Sequence, residues 1–141
     1  MELADALAFA RGRFQGVLVT RRRDGRPQLA NIVYAFDPAG VARISTRGST
    51  AKAKNLRRDP VATLYVPGSS FWSFAVLDGR AEVSAESQEP GDEVADELVE
   101  IYRQVRGEEH PDWDEFRAAM VAERRLVVRF RPERAYGQVN E

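Results

Sequence analysis

The chain has 141 residues, 43% of them apolar and 30% charged, with a formal net charge of −1 at pH 7. That balance belongs to a globular domain with its own core, and it excludes a disordered chain. The near-neutral charge argues against a general nucleic-acid binder, and the lack of cysteine excludes disulfides, thiolate metal sites and a cysteine nucleophile.

Leu3, Ala4, Leu7 and Ala8 predict a short amphipathic helix ending near Gly12. Its acidic residues precede the apolar part, unlike a secretory signal, and no apolar run approaches the roughly 20 residues of a membrane span. A cytoplasmic protein without a membrane partner is therefore expected. Strands follow at Phe14–Thr20 and Gln28–Phe36, joined by an Asp24-Gly25 hairpin signal. After the Asp37–Gly40 turn, a third strand covers Val41–Thr46. A basic helix then interrupts the sheet and stops at Asp59-Pro60. Further strands are read at Val61–Val66 and from Phe71 to Ala85, with Asp78-Gly79 marking a bulge.

From Glu89 to Arg106, Val94, Leu98, Ile101, Tyr102 and Val105 recur at helical spacing, with Pro90 suited to the start and Gly107 to the end. Asp112 and Glu115 resemble a capping box for a further helix. Arg125–Arg131 alternates as a half-buried strand. Short hairpin-linked strands with inserted helices point to one domain over residues 1–141, a mainly β, six-stranded antiparallel barrel. No GxGxxG is present, so a Rossmann fold is excluded.

The chemistry-bearing stretch is RISTRGSTAKAKNLRRDP, residues 43–60. A strand runs through a Ser/Thr/Gly turn into a helix whose unpaired first amides and dipole favour an anion. Ser49 or Thr50 can cap it, and Lys52 and Asn55 share one face. This is either a phosphate cradle or a capped surface helix. Trp72 and Phe74, two apart on the expected strand, would line a flat heterocycle or pack in a core or dimer contact. Asn31, among Leu29, Val33 and Ala35, wants a partner if buried, in a ligand ring or in the backbone. Arg43, Arg47, Arg57 and Arg58 form a basic rim that either draws an acidic ligand or serves solubility. His110, before Pro111 in a polar turn, reads as an exposed loop residue, and the carboxylates of the Gln88–Glu115 region read as a solvated helix face. No self-sufficient catalytic group stands out, so a cofactor would carry any reaction.

In order, DGRPQLANIVYAFDP, AKAKNLRRDP, WSFAVLDGRAEV, HPDWDEFRAAM and RAYG resemble the flavin- and deazaflavin-binding split barrels related to pyridoxamine 5'-phosphate oxidase. More narrowly, the chain is similar to their F420-dependent subgroup. The resemblance implies a six-stranded split barrel acting as a homodimer with cofactor sites between subunits. It implies a cofactor phosphate at Lys52, Asn55 and Thr50, and a ring system along Ile44, Ser45 and Thr46 with Gln28 and Asn31 nearby. Trp72 and Phe74 would come from the partner. Close relatives often carry an arginine in place of Thr50 and a tyrosine in place of Phe74. The implied activity is hydride transfer from reduced F420 to a small unsaturated substrate. An FMN-dependent oxidoreductase and a non-catalytic F420 carrier are the alternatives on the same fold.

Overall fold

The computed structural model describes residues 1–140. In chain order the elements are α1 (Leu3–Arg11), β1 (Gln15–Arg21), β2 (Pro27–Val33), β3 (Ala35–Phe36), β4 (Ala42–Arg47) and α2 (Ala51–Arg58). Then come β5 (Val61–Pro67), β6 (Phe74–Val83), α3 (Glu93–Arg106), α4 (Trp113–Ala122) and β7 (Arg125–Gln138). The strands form one seven-stranded sheet in the order β2-β1-β5-β6-β7-β4-β3, and every pairing is antiparallel.

The expected strand over 28–36 is two strands, which raises the count from six to seven. Its first part pairs with β1 and its last two residues pair with β4 at the opposite edge of the sheet. Only Tyr34 lies between them. Two edges joined through one residue force the sheet to curl into a half-barrel. Tyr34 is fully buried at that corner, edge-on to the Phe36 ring, and its hydroxyl donates to the Ala10 carbonyl at 2.9 Å. That contact plugs one end of the curl with α1, whose Ala6, Phe9 and Ala10 join the interior core of Leu18, Ile44, Leu64, Leu77, Leu126 and Phe130.

Three other expectations change. The strand that was to begin at Phe71 begins at Phe74, because Ser70 Oγ accepts the Trp72 amide and the Ser73 amide bonds back to the Ser70 carbonyl. Trp72 therefore sits in the turn and shares no pleat with Phe74. The helix expected from Glu89 begins at Glu93, because Asp92 gathers the amides of Gln88, Glu89 and Ala95 around its carboxylate. Burial works against that charge, but the amides outweigh it and hold the carboxyl below its usual range. Finally, β7 runs on to Gln138 and is not half-buried over its first residues. Val127 is fully buried beneath α3 and α4, among Leu98, Ile101 and Met120, on the face opposite the main core. Arg129 reaches α3 as well, with two nitrogens on the Glu97 carboxylate.

The bulge expected at Asp78-Gly79 is present, as a register shift against β7 that admits Pro132 opposite Gly79. A Cβ on Gly79 would stand 2.1 Å from the Arg131 carbonyl oxygen, whereas one on Gly12 would meet nothing within 4 Å. Gly79→Ala should thus lower stability by about 1–3 kcal/mol in chemical denaturation, through forced backbone displacement. Gly12→Ala should stay within about 0.5 kcal/mol of the parent.

Candidate functional site

Curling the sheet brings Asn31–Val33 of β2 near Ser45–Arg47 of β4, and α3 and α4 roof the space beside them. The result is a cleft of about 550 Å³, within the usual range for small-ligand sites. One wall is apolar and comes from Leu98, Ile101, Val105, Phe116 and Met120. The other end is cationic, with Arg47, Lys52 and Arg125. No Asp or Glu lines the cleft among the described residues.

The cationic end is built at the start of α2. Thr50, in extended conformation, is the cap: its Oγ1 accepts the Ala53 amide at 3.4 Å and donates to the Arg47 carbonyl at 3.0 Å. Thr46 Oγ1 lies 3.3 Å from it. The amides of Ala51 and Lys52 have no acceptor inside the helix, as at any helix start. Lys52 is half-buried and makes no hydrogen bond or ion pair among the described residues. Burial pushes its pKa down, and the like charge of Arg125 pushes it further. Arg125 and Arg47 are cross-strand neighbours and share one oxygen of Glu123, at 2.9 and 3.2 Å. The Arg125 hydrogen bond holds that carboxyl below its usual range, with burial opposing. Two of the three cations thus share a single carboxylate, and the lysine has no counter-ion among the described residues.

Of the polar residues singled out in the sequence, the structure brings Asn31, Ser45, Thr46, Arg47, Thr50 and Lys52 to this cleft. The others lie elsewhere in the single chain. Asn55 is buried; its Nδ2 donates to Thr20 Oγ1 at 3.1 Å and its Oδ1 accepts from Arg58 at 3.4 Å. That amide fastens α2 to β1, because Asn55 lies in the helix's buried stripe with Ala53 and Leu56. Lys52 is offset from it by about 60° around the helix, enough to reach the cleft. Lys54 faces a separate hollow with Arg22, Arg23 and Arg58. Ile44 is 1% exposed in the core, and Gln28 accepts a hydrogen bond from Arg22 near the hairpin. Phe74 stacks on Tyr65, and Trp72 is 63% exposed against the still more exposed Phe71.

Asn31 is exposed, so its amide has no need of a buried partner, because its face is the outer face of the sheet. The register aligns Asn31, Val17, Tyr65, Val76 and Tyr136 in one row across five strands. Leu29 and Val33 flank that row, 60% and 44% exposed. The cleft therefore opens at the rim of an apolar surface.

Sequence reasoning missed Arg125 and the whole helical wall. Arg125 read as one polar position of an alternating strand; only its register opposite Arg47 makes it part of the site. The wall carried a signal in its apolar stripe, which is wide enough to cover Val127 and also face the cleft. His110 is not a simple loop residue either. It packs within 5.6 Å of the rings of Tyr102, Trp113 and Phe116, and its Nδ1 accepts the Asp112 amide.

A curled antiparallel sheet with a cationic, apolar-walled cleft at its edge is the frame of a small-ligand-binding domain. Residues 4–139 match the pyridoxamine 5'-phosphate oxidase family, and the chain belongs to it. Over 83 residues the chain is 36% identical to an F420H(2)-dependent biliverdin reductase of Mycobacterium tuberculosis (strain CDC 1551 / Oshkosh); the match covers 58% of this chain and 59% of that relative. A conserved hypothetical protein of Mycobacterium tuberculosis shares the fold with a TM-score of 0.73 at 24% identity, covering 96% of this chain and 82% of its own. A heme-binding protein from Mycobacterium smegmatis shares it with a TM-score of 0.65 at 20% identity, covering 93% of this chain and 51% of its own. Among the described residues no helix is long and apolar enough to cross a membrane.

The depressed Lys52 pKa has a consequence for stability. The unfolded chain binds this proton more tightly than the folded one, so the penalty is full below the folded pKa and fades as pH rises towards the ordinary lysine range. Lys52→Met should therefore raise the melting temperature of the ligand-free protein at neutral pH, measured by differential scanning fluorimetry. The gain should shrink as pH rises.

Proposed function

We propose that the chain is an F420-dependent oxidoreductase that binds the deazaflavin's phosphate at Lys52 and passes a hydride to a small unsaturated substrate. The observation that carries this reading is the half-buried Lys52, which among the described residues has no counter-ion and lies in a cleft with no carboxylate in its lining. Such a group fits a phosphate, with the free amides of Ala51 and Lys52 beside it and Arg47 and Arg125 close by. The apolar wall fits a flat ring system, and Ser45, Thr46 and Asn31 offer polar edges along it. The sequence similarity to an F420H(2)-dependent reductase supports the choice of F420 over FMN.

When bound, reduced F420 supplies the hydride, so no protein nucleophile is needed. The residues of this chain would position the cofactor and exclude water. Lys52, Thr50 and the α2 amides hold the phosphate end, while Leu98, Ile101, Val105 and Phe116 keep the ring end dry. Asn31 and Ser45 orient the ring edge. The same reading makes the protein a cytoplasmic homodimer. A second copy laid on the row of Val17, Tyr65, Val76 and Tyr136 would bury that face and close the cleft at Asn31 and Val33. It would also carry its own exposed Trp72, with Phe74, towards the neighbouring site.

Titration with F420 and FMN side by side, followed by fluorescence quenching, tests the cofactor. F420 should bind at micromolar levels or tighter, and its reduced form should be oxidised in the presence of flat enones, quinones or biliverdin. Preferential FMN uptake would favour the FMN-dependent alternative, and F420 binding without turnover of any acceptor would favour a carrier. Lys52→Ala should weaken F420 by at least about tenfold, as expected for a lost charge-assisted hydrogen bond. Lys54→Ala should change it little. Equal losses would overturn the cradle geometry.

Affinity should also fall as pH rises through the depressed Lys52 pKa, before the usual lysine range is reached, and Lys52→Ala should abolish that dependence. Leu29→Asp should shift the protein towards monomer in analytical ultracentrifugation and weaken F420 binding in parallel. A protein that is monomeric before substitution would end the interface part of this reading.

A further inference from the structure

The cleft does not end at its apolar wall. Past Val33 and Val105 it continues into a second hollow of about 810 Å³. The corner between α1 and β1 forms one side, with Gly12, Arg13 and Gln15. The β5–β6 turn at Pro67–Ser69 forms another, and the end of α3 forms the third. Arg106 lines both spaces and stands at the passage between them. Like the first space, the second has no Asp or Glu in its lining among the described residues. The whole chain carries 22 acidic residues against 21 basic ones, yet among the described residues neither hollow has a carboxylate in its lining, so Lys52 at one end and Arg106 at the passage each offer a place for a negative charge.

Arg106 is unusual among the arginines of its helix pair. Arg103 pairs with Glu100 and Glu109 at 2.8 and 2.7 Å, and Arg117 pairs with Asp96 at 2.9 Å. Arg106 has no carboxylate among the described residues, and its guanidinium lies 5.6 Å from the centre of the Tyr102 ring. Offsetting the helix dipole accounts for a cation near the end of α3, but Arg103 and Arg106 both stand there and only Arg103 is neutralised. Tyr102 also faces the first space, so the cation–π contact would hold the guanidinium at the passage. Arg13 lines the far side, where it donates to the Phe9 carbonyl at 2.9 Å and stacks 3.8 Å over the Phe9 ring.

We infer that this second hollow is the substrate chamber and that Arg106 makes it selective for flat, conjugated molecules bearing a carboxylate. The inference rests on the cofactor reading above, which places a phosphate at Lys52 and a ring along the apolar wall. A substrate then enters from the second hollow, with its conjugated part towards the ring and its carboxylate on Arg106. An acidic cofactor tail has the same chemistry as a substrate carboxylate, and the experiment separates the two.

The probes are biliverdin with its dimethyl ester, and an aryl-acrylic acid with its methyl ester. Each is titrated by absorbance into the cofactor-free protein, its Arg106→Gln variant and its Arg106→Lys variant. Both acids should bind at least about tenfold tighter than their esters, the margin of one charge-assisted bond. Arg106→Gln should remove that preference, Arg106→Lys should keep part of it, and F420 affinity should stay unchanged in both variants. Equal binding of acid and ester, a preference that survives Arg106→Gln, or no binding of either pair would overturn the inference. A loss of F420 affinity in Arg106→Gln, with the acid preference intact, would assign the guanidinium to the cofactor tail instead. The Lys52→Ala result reads the opposite end of the cleft, so the cofactor reading and the Arg106 inference fail separately.

Discussion

The single residue between β2 and β3 governs the architecture. Because Val33 belongs to one edge of the sheet and Ala35 to the other, seven strands cannot lie flat; they curl until the edges come within one residue of each other. Tyr34 makes that corner affordable by filling it. Its ring closes the interior, and its hydroxyl, bonded to Ala10, fastens α1 over the opening. Burial pushes the phenol's pKa above its usual value, which favours the protonated hydroxyl that donates to Ala10. The cleft follows directly, since it is the seam between the two edges.

The seam would be shallow without α3 and α4. They pack on the outer face of β7 through Val127, and Glu97 locks α3 to Arg129 from that strand and reaches Arg43 of β4 at 3.8 Å. This covers a strand face that would otherwise be solvated and leaves part of the helices' apolar stripe facing the seam. The same helices therefore stabilise the sheet and supply the dry wall. Charge is distributed in the opposite sense: Asp96, Glu97 and Glu100 of α3 are paired with Arg117, Arg129 and Arg103, whereas among the described residues Arg47 and Arg125 of the cleft share a single carboxylate, Glu123. A half-buried lysine with no counter-ion among the described residues is the arrangement that the proposed anionic ligand would relieve.

Much of the fold was legible in the chain. The hairpin at Asp24-Gly25, the bulge at Asp78-Gly79, the Gly107 cap at φ 67° and the Asp112 cap all obey local rules, and local rules are written in neighbouring residues. The errors came where side chains redirected the backbone. Ser70 removed Trp72 from a strand that its pattern suggested, and Asp92 moved a helix start past a proline that looked like one. Of the site, Lys52, Thr50, Thr46 and Ser45 were legible because they cluster within one strand–turn–helix unit. Asn55 shared the same pattern, yet its buried position on α2 committed its amide to Thr20.

The sequence by itself determined the local units: the β-rich pattern with its turns, the capped basic helix, and a residue inventory that calls for a cofactor if there is to be chemistry. Tertiary structure alone decided which units meet. It set Arg125 beside Arg47 by strand register, turned α3 and α4 into a wall, left Lys52 without a counter-ion among the described residues and placed Arg106 between two hollows. Local structure depends on residues a few positions apart, whereas a site depends on register and packing between segments up to the length of the chain apart. That long-range geometry arises only when the sheet closes on itself at Tyr34.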